Sequence, residues 1–128
     1  MFRRKDDEMN TIMVGLGGAV GALLRFSLYQ FSFSQLTQSN MTILINCVGS
    51  LILGFFFYVF HNHSNKFYLF ATTGVLSGFT TFSTFSMETI TYFQAHLYMD
   101  GMLNILLSLI LCIGSCFIGV WLGKAARK

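Results

Sequence analysis

Apolar residues run almost unbroken through four stretches of the chain, near residues 11–31, 41–60, 67–93 and 102–122, and polar residues gather between them. Each run approaches or exceeds the ~20 residues that cross a hydrocarbon core as an α-helix. The pattern predicts four membrane-spanning helices with short connections, residues 1–128 forming one four-span domain. The third run differs from the others. Its stretch Gly74–Ser86 reads G-V-L-S-G-F-T-T-F-S-T-F-S, which sets glycines, threonines and serines around three phenylalanines. Non-helical backbone at membrane depth is tolerated only where protein or a water-filled cavity covers it, so this composition predicts a helix broken at Gly74–Thr80. Phe79, Phe82 and Phe85 recur every third residue, with Ser83, Thr84 and Ser86 between them. That spacing predicts a polar, aromatic-lined ion path built on the break.

Composition supports the class. Of 128 residues, 54% are hydrophobic and 10% charged, against roughly 25% charged in soluble domains. The reading is an all-α integral membrane protein, and no nucleic-acid partner is expected. Proline is absent, so the break falls to glycine and polar residues. The charged residues 1–10 before the first run imitate a secretory signal, but no small-residue cleavage site follows and three more spans do. Cys47, Cys112 and Cys116 all fall within predicted spans, where cysteine acts as a small hydrophobe. His61, His63 and His96 lack a third ligand nearby and read as solvated loop residues. With no nucleophile–base pair or metal cluster, the chain is not expected to be an enzyme.

Polar and small residues inside the runs narrow the picture. Gly17 and Gly21 form a G-x-x-x-G pair, which lets helix backbones approach closely in lipid. Ser115, Gly119 and Gly123 make a second small-residue stripe. Arg25 lies deep in the first run, where a cation must snorkel, pair or face water; it reads as an interfacial anchor or a functional charge. If the spans alternate direction, Glu88 lies at a similar depth, which makes Arg25 and Glu88 a candidate ion pair or vestibule. Asn46, Ser50 and Gly54 share one face of the second helix. On periodicity alone, Asn46 reads first as a helix–helix hydrogen bond and second as a donor to an anion. Trp121, followed by Lys124, Arg127 and Lys128, marks an exit into the interface.

The motifs G-G-x-x-G-A-x-x-R (Gly17 to Arg25), N-x-x-G-S-x-x-x-G (Asn46 to Gly54) and T-G-x-x-x-G-x-T-T-F-S-T-F-S (Thr73 to Ser86), with Glu88 soon after, resemble the Fluc, or CrcB, fluoride channels over essentially the whole chain. The resemblance implies an antiparallel, dual-topology dimer of four-span subunits in a bacterial inner membrane, with two fluoride pores and a central structural sodium ion. By the same resemblance the fluoride path falls on Asn46, Phe82, Ser83, Thr84 and Phe85. The sodium ion would take main-chain carbonyls of Ser77 and Thr80. Ser77 stands where the family usually has glycine, which removes glycine's backbone freedom there. Ser108 is the fourth span's candidate for the polar track.

The chemistry suits fluoride. A small, strongly hydrated anion needs donors that replace its water, and Asn46, Ser83 and Thr84 can supply them. A phenyl ring is positive at its edge, so Phe82 and Phe85 can face an anion edge-on. The expected activity is passive export of fluoride, which lowers its toxicity. The alternatives are a proton-coupled exporter using Glu88 and a non-conducting assembly subunit. Positive charge is one-sided: Arg3, Arg4, Lys5, Lys66, Lys124, Arg127 and Lys128 share one face of a four-span layout, opposite Asp100. The positive-inside rule then predicts cytoplasmic termini and a dimer with an oppositely inserted relative, dual insertion of one chain being the rival.

Overall fold

The computed structural model describes residues 2–30, 37–60 and 65–127, with side chains from residue 7 onward in the first segment. His61, His63, Lys128 and the far end of the first apolar run lie outside the described residues, as do the side chains of Arg3, Arg4 and Lys5. Among the described residues every regular element is helical. Helix α1 is Phe2–Gln30 and α2 is Gln38–Val59. A third helix, α3 (66–79), opens with an α-turn at Lys66–Tyr68, widens into a π-helix over Leu69–Leu76 and tightens again at Ser77–Phe79. Helix α4 is Phe82–Gln94 and α5 is Tyr98–Ala126.

Hydroxyl and amide caps set the starts. Thr37 accepts the Asn40 N–H ahead of α2, Asn65 accepts the Phe67 N–H ahead of α3, and Thr81 accepts the Thr84 N–H ahead of α4. Each satisfies a donor that the first helical turn leaves without a partner. Helix α4 ends in a turn in which Leu97 N–H reaches Tyr92 O (2.9 Å) and His96 N–H reaches Phe93 O (3.1 Å). His96 takes φ 60° there, a left-handed position that most often goes to glycine.

Among the described residues three helices are long and apolar enough to cross a membrane, by length and composition: Asp7–Gln30, Gln38–Val59 and Tyr98–Ala126. The third apolar run is divided between α3 and α4. The interruption meets the expected Gly74–Thr80 stretch only at its last residue, since Gly74 through Phe79 stay helical. It falls at Thr80 (φ −75°, ψ 157°) and Thr81 (φ −148°, ψ 113°), both extended. Two threonines in succession favour extended backbone through their branched β-carbons, and the hydroxyl of the second caps the next helix.

The helices pack as two parallel pairs. Along α1 and α3, Gly17 lies against Phe70 O and Gly74, Gly18 against Gly78, and Gly21 against Val75 O. A Cβ on Gly74 would stand 2.8 Å from Gly17 Cα, and one on Gly78 2.5 Å from Gly18 O. Along α2 and α5, Gly54 meets Cys116 O, Gly119 meets Leu51 O, and Gly123 meets Phe55 O. Both small-residue stripes thus form packing faces. Helix α4 runs against α2 and α5 in the opposite sense, pairing Asn46 with Thr81, Thr42 with Glu88, and Asn104 with Thr89. Large apolar side chains such as Leu23, Ile110 and Phe117 point outward, as a lipid-facing surface requires.

A Cβ at Gly21 or Gly119 would strike a backbone carbonyl, which cannot swing aside as a side chain can. Gly21→Val and Gly119→Val are each expected to lower stability by about 1–3 kcal/mol, the usual scale of overpacking. Gly114→Ala, with nothing within 4 Å of the new carbon, should be neutral. Thermal midpoints of the detergent-extracted protein check this; equal midpoints for all three would refute the packing.

Candidate functional site

The interruption between α3 and α4 frees backbone groups that an unbroken helix would pair internally. Thr81 N–H would otherwise bond Ser77 O. Instead it reaches Asn46 Oδ1 on α2 at 2.7 Å, while Asn46 Nδ2 donates to Thr81 O at 3.0 Å. One carboxamide thus replaces both backbone partners of Thr81. The pairing also fixes the amide's orientation, because a backbone N–H demands the oxygen and a carbonyl demands the nitrogen. The helix–helix hydrogen bond expected of Asn46 from periodicity is present, and its partner is the backbone of the break.

Around this clamp lies a cavity of about 270 Å³. Asn46, Ser50 and Gly49 line it from α2, Ser77 and Thr80 from the end of α3, Phe82 and Phe85 from α4, and Ser108 and Cys112 from α5. Gly49 makes room for the break, since a Cβ there would collide with the Thr80 methyl. Phe85 is buried, at 9% exposed, whereas Phe82 is 76% exposed at the cavity's rim. Their ring centroids stand 5.3 Å apart with planes tilted by 47°. Ser108 is 7% exposed, and its hydroxyl is buried with no hydrogen-bond partner.

Ser83 and Thr84 do not line this cavity. Their hydroxyls gather on Thr81 Oγ1, at 3.2 Å and 2.9 Å, and Ser83 is exposed on the outer face of α4. Arg25 and Glu88 do not pair. Arg25 donates Nε–H to Gly78 O at 3.2 Å, a carbonyl whose helical donor, Phe82 N–H, lies beyond the break. A cation there suits the C-terminal end of a helix dipole. Glu88 Oε1 accepts from Thr42 Oγ1 at 2.6 Å, and that hydroxyl also meets Tyr29 OH at 2.7 Å. The offset has a plain cause: Arg25 packs at the end of α3, whereas Glu88 lies two turns inside α4.

The break meets a simple test for a hard cation. Ser77 O has lost its donor to Asn46, and the N–H that would serve Thr80 O, from Thr84, goes to Thr81 Oγ1. Two main-chain carbonyls at one corner of the cavity are thereby left to other partners, and carbonyl oxygen is the ligand type such ions take. Serine at position 77 is no obstacle, since its backbone is ordinary right-handed helix (φ −68°, ψ −34°).

Thr81 is the residue that sequence reasoning passed over. Its signal was present: a threonine just before a helical run, three residues ahead of the N–H it caps. Thr42, which donates to Glu88, and Tyr29, which meets Thr42, carried no comparable signal.

The family described as CrcB-like protein, Camphor Resistance (CrcB), matches residues 12–120, a span that holds the clamp, the cavity, the first glycine seam and all of the second but Gly123. A protein of Ruminiclostridium cellulolyticum named fluoride-specific ion channel FluC is 39% identical over 128 residues, covering 95% of each chain. Two others carry the same name. That of Nitratiruptor sp. is 40% identical over 87% of this chain and 89% of its own. That of Methanococcus maripaludis is 36% identical over 84% and 90%. With the family match covering residues 12–120 and relatives this similar along most of the chain, the chain belongs to the CrcB family.

Proposed function

We propose that this chain is one subunit of a fluoride-selective channel that lets fluoride leave the cytoplasm passively. The observation that carries the reading is the Asn46 clamp. Its oxygen is held by Thr81 N–H and one of its N–H groups by Thr81 O, so the amide keeps one N–H that can donate to an anion in the cavity it lines. The Ser108 hydroxyl lines the same cavity without a partner and can donate there. Phe82 and Phe85 add ring edges, whose hydrogens are positive. Donors replace the water that a small anion sheds, while cations find few acceptors on these side chains. An inside-negative membrane then drives the anion outward with about 2.3 kcal/mol per charge for each 100 mV. Among the described residues no carboxylate lines the cavity, which favours passive flow over coupling to protons through Glu88.

In this reading the segment 66–94 is the third of four crossings, broken in its middle, and a second subunit covers its exposed face. Phe82 at the rim, with Ser83 beside it, points out of the single chain. An antiparallel partner would close the cavity and let Ser83 and Thr84 continue the polar track. A sodium ion at the subunit junction would be held by the Ser77 and Thr80 carbonyls. Bound there, it would supply fixed positive charge that neutralises the carbonyl ends left by the break.

Fluoride efflux from liposomes, followed by an electrode with chloride as control, tests the proposal. The parent should release fluoride without a proton gradient. Phe82→Ile, Phe85→Ile and Ser108→Ala should stay folded and lose roughly tenfold or more of the flux, the factor carried by about 1.4 kcal/mol. Variants that conduct like the parent would reject the assignment of these side chains.

Removing sodium tests the cation site. Exchange of sodium for a bulky organic cation should reduce flux or the dimer fraction. Unchanged flux and unchanged dimer content after thorough exchange would count against the carbonyl site.

Orientation is the third test. The charge imbalance supports cytoplasmic termini and a working channel formed with an oppositely inserted relative. Ser39 is buried and bonded to Tyr92 OH (3.0 Å), so exposed positions serve better as reporters. Single cysteines at Met99 and Ala126, in a background with Cys47, Cys112 and Cys116 changed to alanine, should label from one side only in intact cells. Labelling from both sides, with full flux from this chain alone, would establish dual insertion instead.

A further inference from the structure

Two of the three cysteines meet across the α2–α5 seam. Cys47 Sγ and Cys112 Sγ stand 3.8 Å apart, both half-buried and both unoxidised. Cys112 lines the cavity, one turn beyond Ser108, and Cys47 follows Asn46 directly in α2. Cys116, a further turn along α5, does not reach the cavity. Two metal–sulfur bonds of ~2.3 Å meeting at the tetrahedral angle span about 3.8 Å between sulfurs, which matches the separation here. Among the described residues no third His, Cys, Asp or Glu joins them, so the remaining coordination positions would face the cavity and its water.

We infer that Cys47 and Cys112 form a half-site for a thiophilic, tetrahedral d¹⁰ dication such as cadmium or zinc, set into the wall of the cavity. Soft thiolate ligands select this class of ion. Binding replaces two thiol protons: M²⁺ + 2 RSH gives M(SR)₂ + 2 H⁺. The product is electrically neutral, so two thiolates and a dication can sit in an apolar bundle where any one of these charges alone could not. The ion's open positions stand beside the Asn46 and Ser108 donors. A cadmium ion there would hold an anion in place and obstruct its passage. That consequence rests on the channel reading above; the binding itself does not.

The experiment titrates cadmium into the purified protein in detergent and, separately, into channel-bearing liposomes. Absorption from thiolate-to-cadmium charge transfer should grow to one ion per chain. Fluoride efflux should be blocked over the same concentrations. Cys47→Ala and Cys112→Ala should each raise the required concentration by roughly a hundredfold or more, at least the scale on which lesser changes around metal ligands act. Cys116→Ala should leave both readouts as in the parent. Absence of the absorption band, or a band that persists in Cys47→Ala and Cys112→Ala, would overturn the site. A band without block would keep the site and remove its effect on conduction, while an inert parent with a normal band would fault the channel reading instead.

Discussion

The N–H and C=O of Thr81 are the groups on which the arrangement depends. In a hydrocarbon surrounding, an unpaired backbone group costs several kcal/mol, so a chain that leaves the helix must find partners for the groups it releases. This chain finds them in one side chain. Asn46 meets both groups of Thr81 at 2.7 and 3.0 Å, and the Thr81 hydroxyl caps α4 from the other direction. Arg25 takes the Gly78 carbonyl on the α3 side. The break is thus held from both of its neighbours, by an amide on α2 and a guanidinium on α1.

Those two contacts are possible only because the helices that carry them lie close. Lipid tails are as apolar as leucine, so helices in a bilayer gain little from hiding apolar surface and rely on close packing. Gly17, Gly18 and Gly21 bring α1 onto α3, and Gly54, Gly119 and Gly123 bring α2 onto α5. Each seam then sets the height of one polar residue relative to the break. Arg25 is one turn beyond Gly21, and Asn46 is two turns before Gly54. Packing and polar satisfaction are therefore one device: loosening a seam moves the side chain that stabilises the interruption.

Much of this was legible in the residues and some was not. The apolar runs announced the helices, and the G-x-x-x-G spacing announced the seams, because both follow from periodicities that the chain displays directly. Asn46, Phe82, Phe85, Ser77 and Thr80 do converge on one cavity. The break was placed too early, overlapping the observed one only at Thr80, since small residues in Gly74–Gly78 serve contact with α1 and the extended residues are Thr80 and Thr81. Composition cannot separate a glycine needed for close approach from one needed for a turn. The Arg25–Glu88 pair failed for a related reason. Opposite charges at similar depth suggest each other, yet the nearest acceptor to Arg25 is a carbonyl that exists as a free acceptor only because the helix stops. Partners created by folding, such as Gly78 O, have no signature in side-chain identity.

The clamp also bears on how the proposed channel would distinguish charge. A carboxamide is amphoteric toward ions, with an acceptor at one end and donors at the other. Left free, Asn46 could turn either end to a passing ion. Bound to Thr81, it cannot turn without breaking two hydrogen bonds, each of which contributes on the order of 1 kcal/mol and leaves a costly orphan if lost. The backbone break therefore does more than interrupt a helix. By holding the amide in one orientation, it keeps one Asn46 N–H without a bond to Thr81, and the neighbouring Ser108 hydroxyl is free of any protein acceptor. In the proposed channel, the polarity that favours an anion would arise from the same bonds that make the irregular backbone tolerable in the bundle.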